Sequence, residues 1–177
     1  MEPVSFENTG SARQIEKPWA ACGHQGKRPH NIVNSLYLKP ADLERLVRER
    51  FARYEVIKEN EVRYESYRME DAELCLVAYG ATSRIVKGAV NKAREEGIKV
   101  GVIRPITLWP FPEKAIAQAA AQVKSFLCVE MSMGQMVDDV RLAVNGQKPV
   151  HFFGRTGGVI PTPAEVLEQI KLIGGVK

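Results

Sequence analysis

Arg84, Arg104, Glu130, Gln135 and Arg155 are the residues of this 177-residue sequence whose types and settings lend themselves to chemistry. They fall in four short stretches, "YGATSR", "IRPITLWPFP", "EMSMGQM" and "FGRTGG", each following an apolar run and each mixing polar side chains with glycine or proline. Arginine presents a planar fork of donors suited to phosphate or carboxylate oxygens, and a neighbouring helix N-terminus would add backbone N–H groups. Arg104 and Arg155 therefore have two open readings: they bind an anion, or they tie loops to carboxylates such as Glu130 or those of a neighbouring chain.

No catalytic residue can be assigned from the pattern. His24 and His30 lie in an N-terminal stretch without periodicity, and His151 stands between apolar residues, which suits a hydrogen-bonded core or interface histidine better than a base. Cys22, Cys75 and Cys128 are far apart and form no C-x-x-C pair, which excludes a self-contained zinc or iron–sulfur framework. The "CGH" at residues 22–24 supplies too few ligands for a metal site. Neither G-x-G-x-x-G nor a phosphate loop of the G-x-x-x-x-G-K-[ST] type occurs, so a nicotinamide or ATP site is not expected.

The elements that must position these stretches follow from hydrophobic periodicity. From residue 71 onward, short apolar runs alternate with amphipathic helices: "LCLVAY" at 74–79, "VGVI" at 100–103, "FLCVE" at 126–130 and "PVHFF" at 149–153 read as strands. Between them, Ile85, Val86, Ala89, Val90 and Ala93 mark one helical face, Ala115, Ile116, Ala119, Ala120 and Val123 a second, and Met136, Val137, Val140 and Val144 a third. Thr162, Pro163 and Glu165 supply an N-cap, an N1 proline and a capping-box acid for a last helix. Continuous apolar strands, each followed by a helix, predict a doubly wound, mostly parallel α/β sheet, with ligands or partners at the carboxyl ends of the strands.

Residues 1–39 read as a linker or extension. Residues 40–70 read as an amphipathic helical segment, with Leu43, Leu46, Val47, Phe51 and Tyr54 at helical spacing, and residues 71–177 as the α/β domain. The net charge of +4 is spread among interleaved acids and bases, which argues against nucleic-acid binding and against a membrane-binding patch. The absence of a signal-like apolar core or of about 18 unbroken apolar residues leads us to expect a cytoplasmic protein.

"DAELCLVAYGATSRIVKGAV", "AREEGIKVGVIRPITLWPFP", "VEMSMGQMVDDVRLAV" and "PVHFFGRTGGVIPTP" closely resemble the C-terminal region of the α subunit of 2-oxoacid:ferredoxin oxidoreductases, especially the 2-oxoisovalerate (branched-chain) type. "KPWAACG" and "NSLYLKPADLE" resemble the connecting segment before it. The resemblance spans nearly the whole chain. It implies a transketolase C-terminal-like domain in an enzyme that oxidatively decarboxylates a 2-oxoacid to acyl-CoA and passes electrons to ferredoxin.

It also implies what this chain lacks. The pyrimidine-binding half of the α subunit, the diphosphate-binding pattern and the iron–sulfur cysteines have no counterpart here. Thiamine pyrophosphate, Mg²⁺, CoA and iron–sulfur clusters are then cofactors of the full complex, none bound completely by this chain. The expected partners are the missing N-terminal half, β and γ subunits with or without a δ subunit, and ferredoxin through the complex. Two alternatives stand beside this reading: the C-terminal domain of another thiamine enzyme, of dehydrogenase E1 β or transketolase type, and a non-catalytic anion-binding or assembly module.

Within "RPITLWPFP", Pro105, Pro110 and Pro112 fix backbone torsions and reduce the entropy lost on docking. Trp109 and Phe111 supply apolar area for contact, with burial in the core an equal alternative for Trp109.

Overall fold

The computed structural model describes residues 16–21 and 23–175; Cys22, and with it the thiol of the "CGH" fragment, lies outside them. The elements run α1 (Pro40–Asn60), β1 (Tyr64–Tyr67), β2 (Leu74–Val77), α2 (Gly80–Glu95), β3 (Val100–Pro105), α3 (Glu113–Gln122), β4 (Ser125–Glu130), α4 (Met136–Val144), β5 (Val150–Gly154) and α5 (Pro163–Gly174). By contacts the chain divides into two units, Met1–Arg45 and Leu46–Lys177, and the division falls within α1.

The larger unit is built on a five-stranded sheet of order β1-β3-β2-β4-β5. β3, β2, β4 and β5 run parallel, and β1 joins β3 antiparallel. β2 and β4 lie inside the sheet and are buried along almost their whole length, which is why they read as unbroken apolar runs. Alternate residues serve opposite faces. Cys75, Val77, Phe126 and Cys128 pack with Ile116 and Ala120 of α3 and with Val140 and Val144 of α4. Leu76, Val102, Leu127 and Val129 pack with Val86 and Val90 of α2 and with Val166 and Ile170 of α5. The doubly wound expectation therefore holds, each of the four expected strands falling within a residue or two of its predicted bounds. Thr162 and Glu165 form the expected reciprocal capping box at the start of α5.

Two expectations are corrected. The helical segment read over residues 40–70 ends at Asn60, and residues 64–67 form β1 instead. Here exposed Tyr64 and Ser66 alternate with half-buried Glu65 and Tyr67, a period of two that four residues cannot display against a charged background. Of the two settings read for His151, burial in the core does not hold: the residue is exposed, because β5 is an edge strand and its outer face is only partly covered.

α1 has no buried residue, and the apolar side chains of Leu43, Val47 and Phe51 are exposed. Close backbone approach fixes one glycine in the sheet: a Cβ on Gly101 would stand 2.5 Å from the Arg68 carbonyl oxygen and 2.6 Å from the Met69 sulfur. Residues 68–69 cross over β3 at that point.

Candidate functional site

The carboxyl edge of the sheet gathers the loops that follow β2, β3, β4 and β5. Glu130 organises its centre. As the last residue of β4 it is 1% exposed, and its carboxylate is surrounded by donors. It accepts hydrogen bonds from the backbone N–H groups of Gln135, Met136 and Val137 at 3.1, 3.1 and 2.9 Å, and from the Ser132 hydroxyl at 3.0 Å. The first turn of α4 has no side-chain cap of its own, since Gln135 at the N-cap makes no such bond. Glu130 takes that place, its negative charge set against the positive end of the helix.

The main chain holds the same loop from the other side. The Arg155 N–H donates to the Glu130 carbonyl at 3.1 Å, and a Cβ on Gly154 would collide with the Ser132 carbonyl oxygen and the Phe152 ring. Residue 154 must therefore be glycine for the loop at 131–134 to lie against β5.

The two arginines are not brought together. Arg104 and Arg155 sit at β3 and just past β5, three strand spacings apart, or roughly 14 Å across the sheet. Arg104 pairs with Glu65 of β1 at 3.3 Å, and the same carboxylate takes Lys87 of α2 at 2.5 Å. The Lys87 hydrogen bond, followed by the charges of Lys87 and Arg104 working against partial burial, holds Glu65 below the ordinary glutamate range. Arg155 pairs with Glu165, the capping-box acid of α5, and lies 5.6 Å from the centre of the Phe153 ring. Bonds from the Thr162 backbone and then from Arg155 lower the Glu165 pKa as well. Glu130, named from the sequence as a carboxylate that could hold an arginine, binds helix N–H groups instead. Arg104 and Arg155 each keep a buried Nε–H with no hydrogen-bond acceptor.

Trp109 is 54% exposed and meets Tyr54 of α1 edge-on, with ring centroids 5.2 Å apart; Tyr54 in turn contacts Phe51 at 5.6 Å. Its neighbour Phe111 packs partly into the core. The stretch leading into them is fastened to residue 63: Ile106 N–H and Thr107 N–H donate to the Arg63 carbonyl, and Arg63 N–H donates to the Thr107 hydroxyl at 3.0 Å. Ile106, Leu108, Met131, Met133, Val159 and Ile160 are exposed on the same set of strand-end loops. Gln135 is exposed and engages Glu130 only through its backbone.

Sequence reasoning missed Glu65 and Lys87, because β1 was not recognised, and missed Ser132 as a partner of Glu130. Glu165 had been read only as a cap.

The buried thiols of the sheet are poorly suited to thiolate chemistry. Burial pushes the Cys75 thiol up to about 12. Burial, reinforced by the Glu130 charge, pushes Cys128 up as well. Asp139 is raised by partial burial and then by its acidic neighbours Asp138, Glu113 and Glu130. Among the described residues, no three His, Cys, Asp or Glu side chains stand close enough to share a metal ion, so these residues do not fit a resident Mg²⁺ or iron–sulfur site. No helix among them is long and apolar enough to cross a membrane.

Four parallel strands with helices on both faces, and an edge of loops that displays apolar contacts, define a transketolase C-terminal-like α/β domain. The same fold is found in a split-gene transketolase (TM-score 0.55, 17% identity, 65% of this chain and 42% of that one). It also occurs in the 2-oxoglutarate:ferredoxin oxidoreductase of Magnetococcus marinus (TM-score 0.64, 22% identity, 77% of this chain and 24% of that one).

Residues 72–166, more than half of the chain, match the pyruvate:ferredoxin oxidoreductase core domain II, and the chain belongs to that family. It is 41% identical over 98% of its length to ketoisovalerate oxidoreductase subunit VorB of Methanothermobacter marburgensis. It is 42% identical, again over 98% of its length, to the VorB of Methanothermobacter thermautotrophicus. The chain spans about half, 49%, of the length of each of these relatives.

Proposed function

We propose that this chain is the C-terminal portion of the α subunit of a 2-oxoacid:ferredoxin oxidoreductase, a cytoplasmic complex that oxidatively decarboxylates a branched-chain 2-oxoacid to its acyl-CoA and passes electrons to ferredoxin. The substrate class rests on the VorB likeness, 41–42% identical over 98% of the chain, against matches to KorA, the 2-oxoglutarate synthase subunit, that are either shorter (42% identical over 57% of it) or weaker (33% over 73% and 30% over 86%). The chain's own role in this reading is assembly. Thiamine pyrophosphate, Mg²⁺, CoA and the iron–sulfur clusters are held by the N-terminal pyrimidine-domain half and by the β and γ subunits, with or without a δ subunit.

The observation that carries the assembly role is the apolar strand-end edge, continuous through Trp109 and Tyr54 with Phe51 of α1. Apolar side chains half exposed at this density mark a contact surface. Each would contribute about 1 kcal/mol on losing the rest of its exposure, taking half of the usual value for full burial. Glu130 and the two ion pairs hold the loops in place beforehand, so little ordering entropy opposes docking. Arg104 and Arg155 serve as rim contacts whose remaining donors meet a partner carboxylate or an anionic group of a ligand.

Reconstitution tests the reading. The purified chain alone should give no CoA-dependent reduction of a viologen dye. Combined with the other half of the α subunit and the partner subunits, it should support reduction with 2-oxoisovalerate at least tenfold faster than with 2-oxoglutarate. Activity of the chain alone would refute the assembly role. Equal or reversed substrate preference would refute the branched-chain assignment.

A further inference from the structure

The geometry points to a small phosphate-binding site within the N-terminal unit, formed by residues that take no part in the strand-end edge and that neither the family likeness nor the proposed function assigns. Trp19, His24, Arg28, His30 and Asn31 line a cavity of about 210 Å³. Its walls are fastened by local bonds. Arg28 donates to the carbonyls of Ala20 at 3.1 Å and Pro29 at 3.3 Å, and Asn31 Nδ2 donates to the Pro18 carbonyl at 3.0 Å.

Charge decides what would fill it. Among the described residues, Arg28 is half-buried and has no carboxylate partner, and no aspartate or glutamate lines the cavity. Its bonds to Ala20 and Pro29 use the terminal nitrogens, and among the described residues the Nε–H takes no part in them. His24 accepts the Gly26 N–H on Nδ1 at 3.1 Å, so its neutral ring carries its proton on Nε2 and presents a donor there. The His30 ring stands against it, centroids 4.1 Å apart and planes at 64°. A guanidinium and two imidazoles, with no acid beside them among the described residues, favour an oxyanion. A phosphate ester, carrying close to −1.5 to −2 charges at neutral pH, answers it better than a monoanionic carboxylate.

Size narrows the class further. The cavity holds the equivalent of about seven waters, at ~30 Å³ each, and falls below the ~300 Å³ at which pockets enclose a whole small molecule. It takes one phosphate group and leaves the rest of the ester outside, where Trp19, 69% exposed, offers a flat apolar face.

The test uses the 177-residue chain, ¹⁵N-labelled, with inorganic phosphate as the probe and the His24 and His30 imidazole and Trp19 indole resonances as the readout. Saturable shifts are expected. Arg28→Gln should weaken phosphate binding at least tenfold. His30→Gln, which leaves the Arg28 bonds to Ala20 and Pro29 intact, should weaken it severalfold, so that a folding defect in the first variant does not decide the outcome. The inference is overturned by shifts that never saturate, by unchanged affinity in both variants, by acetate binding as tightly as phosphate, or by zinc ions perturbing the imidazoles where phosphate does not.

Discussion

Replacing Glu130 with glutamine keeps the shape of the side chain and removes what it does. The carboxylate accepts four good hydrogen bonds, three of them from the unpaired first-turn N–H groups of α4, in a position 1% exposed to solvent. A glutamine offers one acceptor oxygen instead of two, and its amide N–H₂ group would face N–H donors. At least one buried backbone N–H loses its partner, at about 1–3 kcal/mol, and the favourable charge at the helix N-terminus is lost, at about 0.5–2 kcal/mol. Against this, glutamine avoids burying a charge, which recovers part of the sum.

The net expectation is a destabilisation on the order of 2–4 kcal/mol, a fall in Tm of about 5–15 °C for a unit of this size. Thermal unfolding followed by circular dichroism gives the shift, and amide exchange at residues 135–137 should accelerate selectively. A variant with unchanged Tm and unchanged exchange at those amides would show that Glu130 does not cap α4, and the account of the edge built on it would fail.

Glu65, whose pKa is depressed by Lys87 and Arg104, contributes stability that is present above the ordinary glutamate pKa of ~4.3 and lost as pH falls through its lower folded value. The Tm difference between wild type and Glu65→Gln should therefore be largest near neutrality and vanish in acid; a difference constant with pH would contradict the ion-pair origin. Gly154→Ala should cost about 1–3 kcal/mol by driving the 131–134 loop off β5, and a variant as stable as wild type would mean that the loop has room to give. In a Cys22→Ser background, Cys75 and Cys128 should resist a thiol reagent at pH 8 until denaturant is added, so prompt labelling of the native protein would disprove their burial.

How far the sequence could be read depended on the length scale of each signal. The runs that became β2, β3 and β4 were legible because helices cover both sheet faces there, which makes a strand apolar at nearly every position, and the edge strand β5 was legible through Val150, Phe152 and Phe153 around its exposed His151. β1 was illegible: Glu65 and Tyr67 are turned inward by an ion pair and by the 2.7 Å bond from the Tyr67 hydroxyl to Asn91, contacts that carry no hydrophobic pattern. Glu130, Arg104 and Arg155 were singled out as residues, but their partners were not. Glu65 is 39 positions from Arg104, and nothing local distinguishes it from the other surface glutamates. The Arg155–Glu165 pair spans only ten positions, yet it arises because α5 returns beside β5, a fact of topology.

The distribution of helix caps supports the proposed reading of the carboxyl edge as a surface for protein contact. In a doubly wound sheet each helix N-terminus at this edge is a potential anion site, since its first N–H groups lack intrahelical partners. In this chain two of them are filled from within: α4 by Glu130, and α5 by Thr162 and Glu165, with Arg155 neutralising the latter. α3 starts directly behind Pro112 with Glu113 in its first turn, a negative charge that would repel an incoming anion. α2 alone begins without a side-chain cap or an acid in its first turn. What the filled termini leave to the surface are the side chains between them, Ile106, Leu108, Trp109, Met131, Met133, Val159 and Ile160. Loops beside helix termini that are already filled, with exposed residues that are apolar, are suited to pressing against another polypeptide, in keeping with the assembly role proposed above.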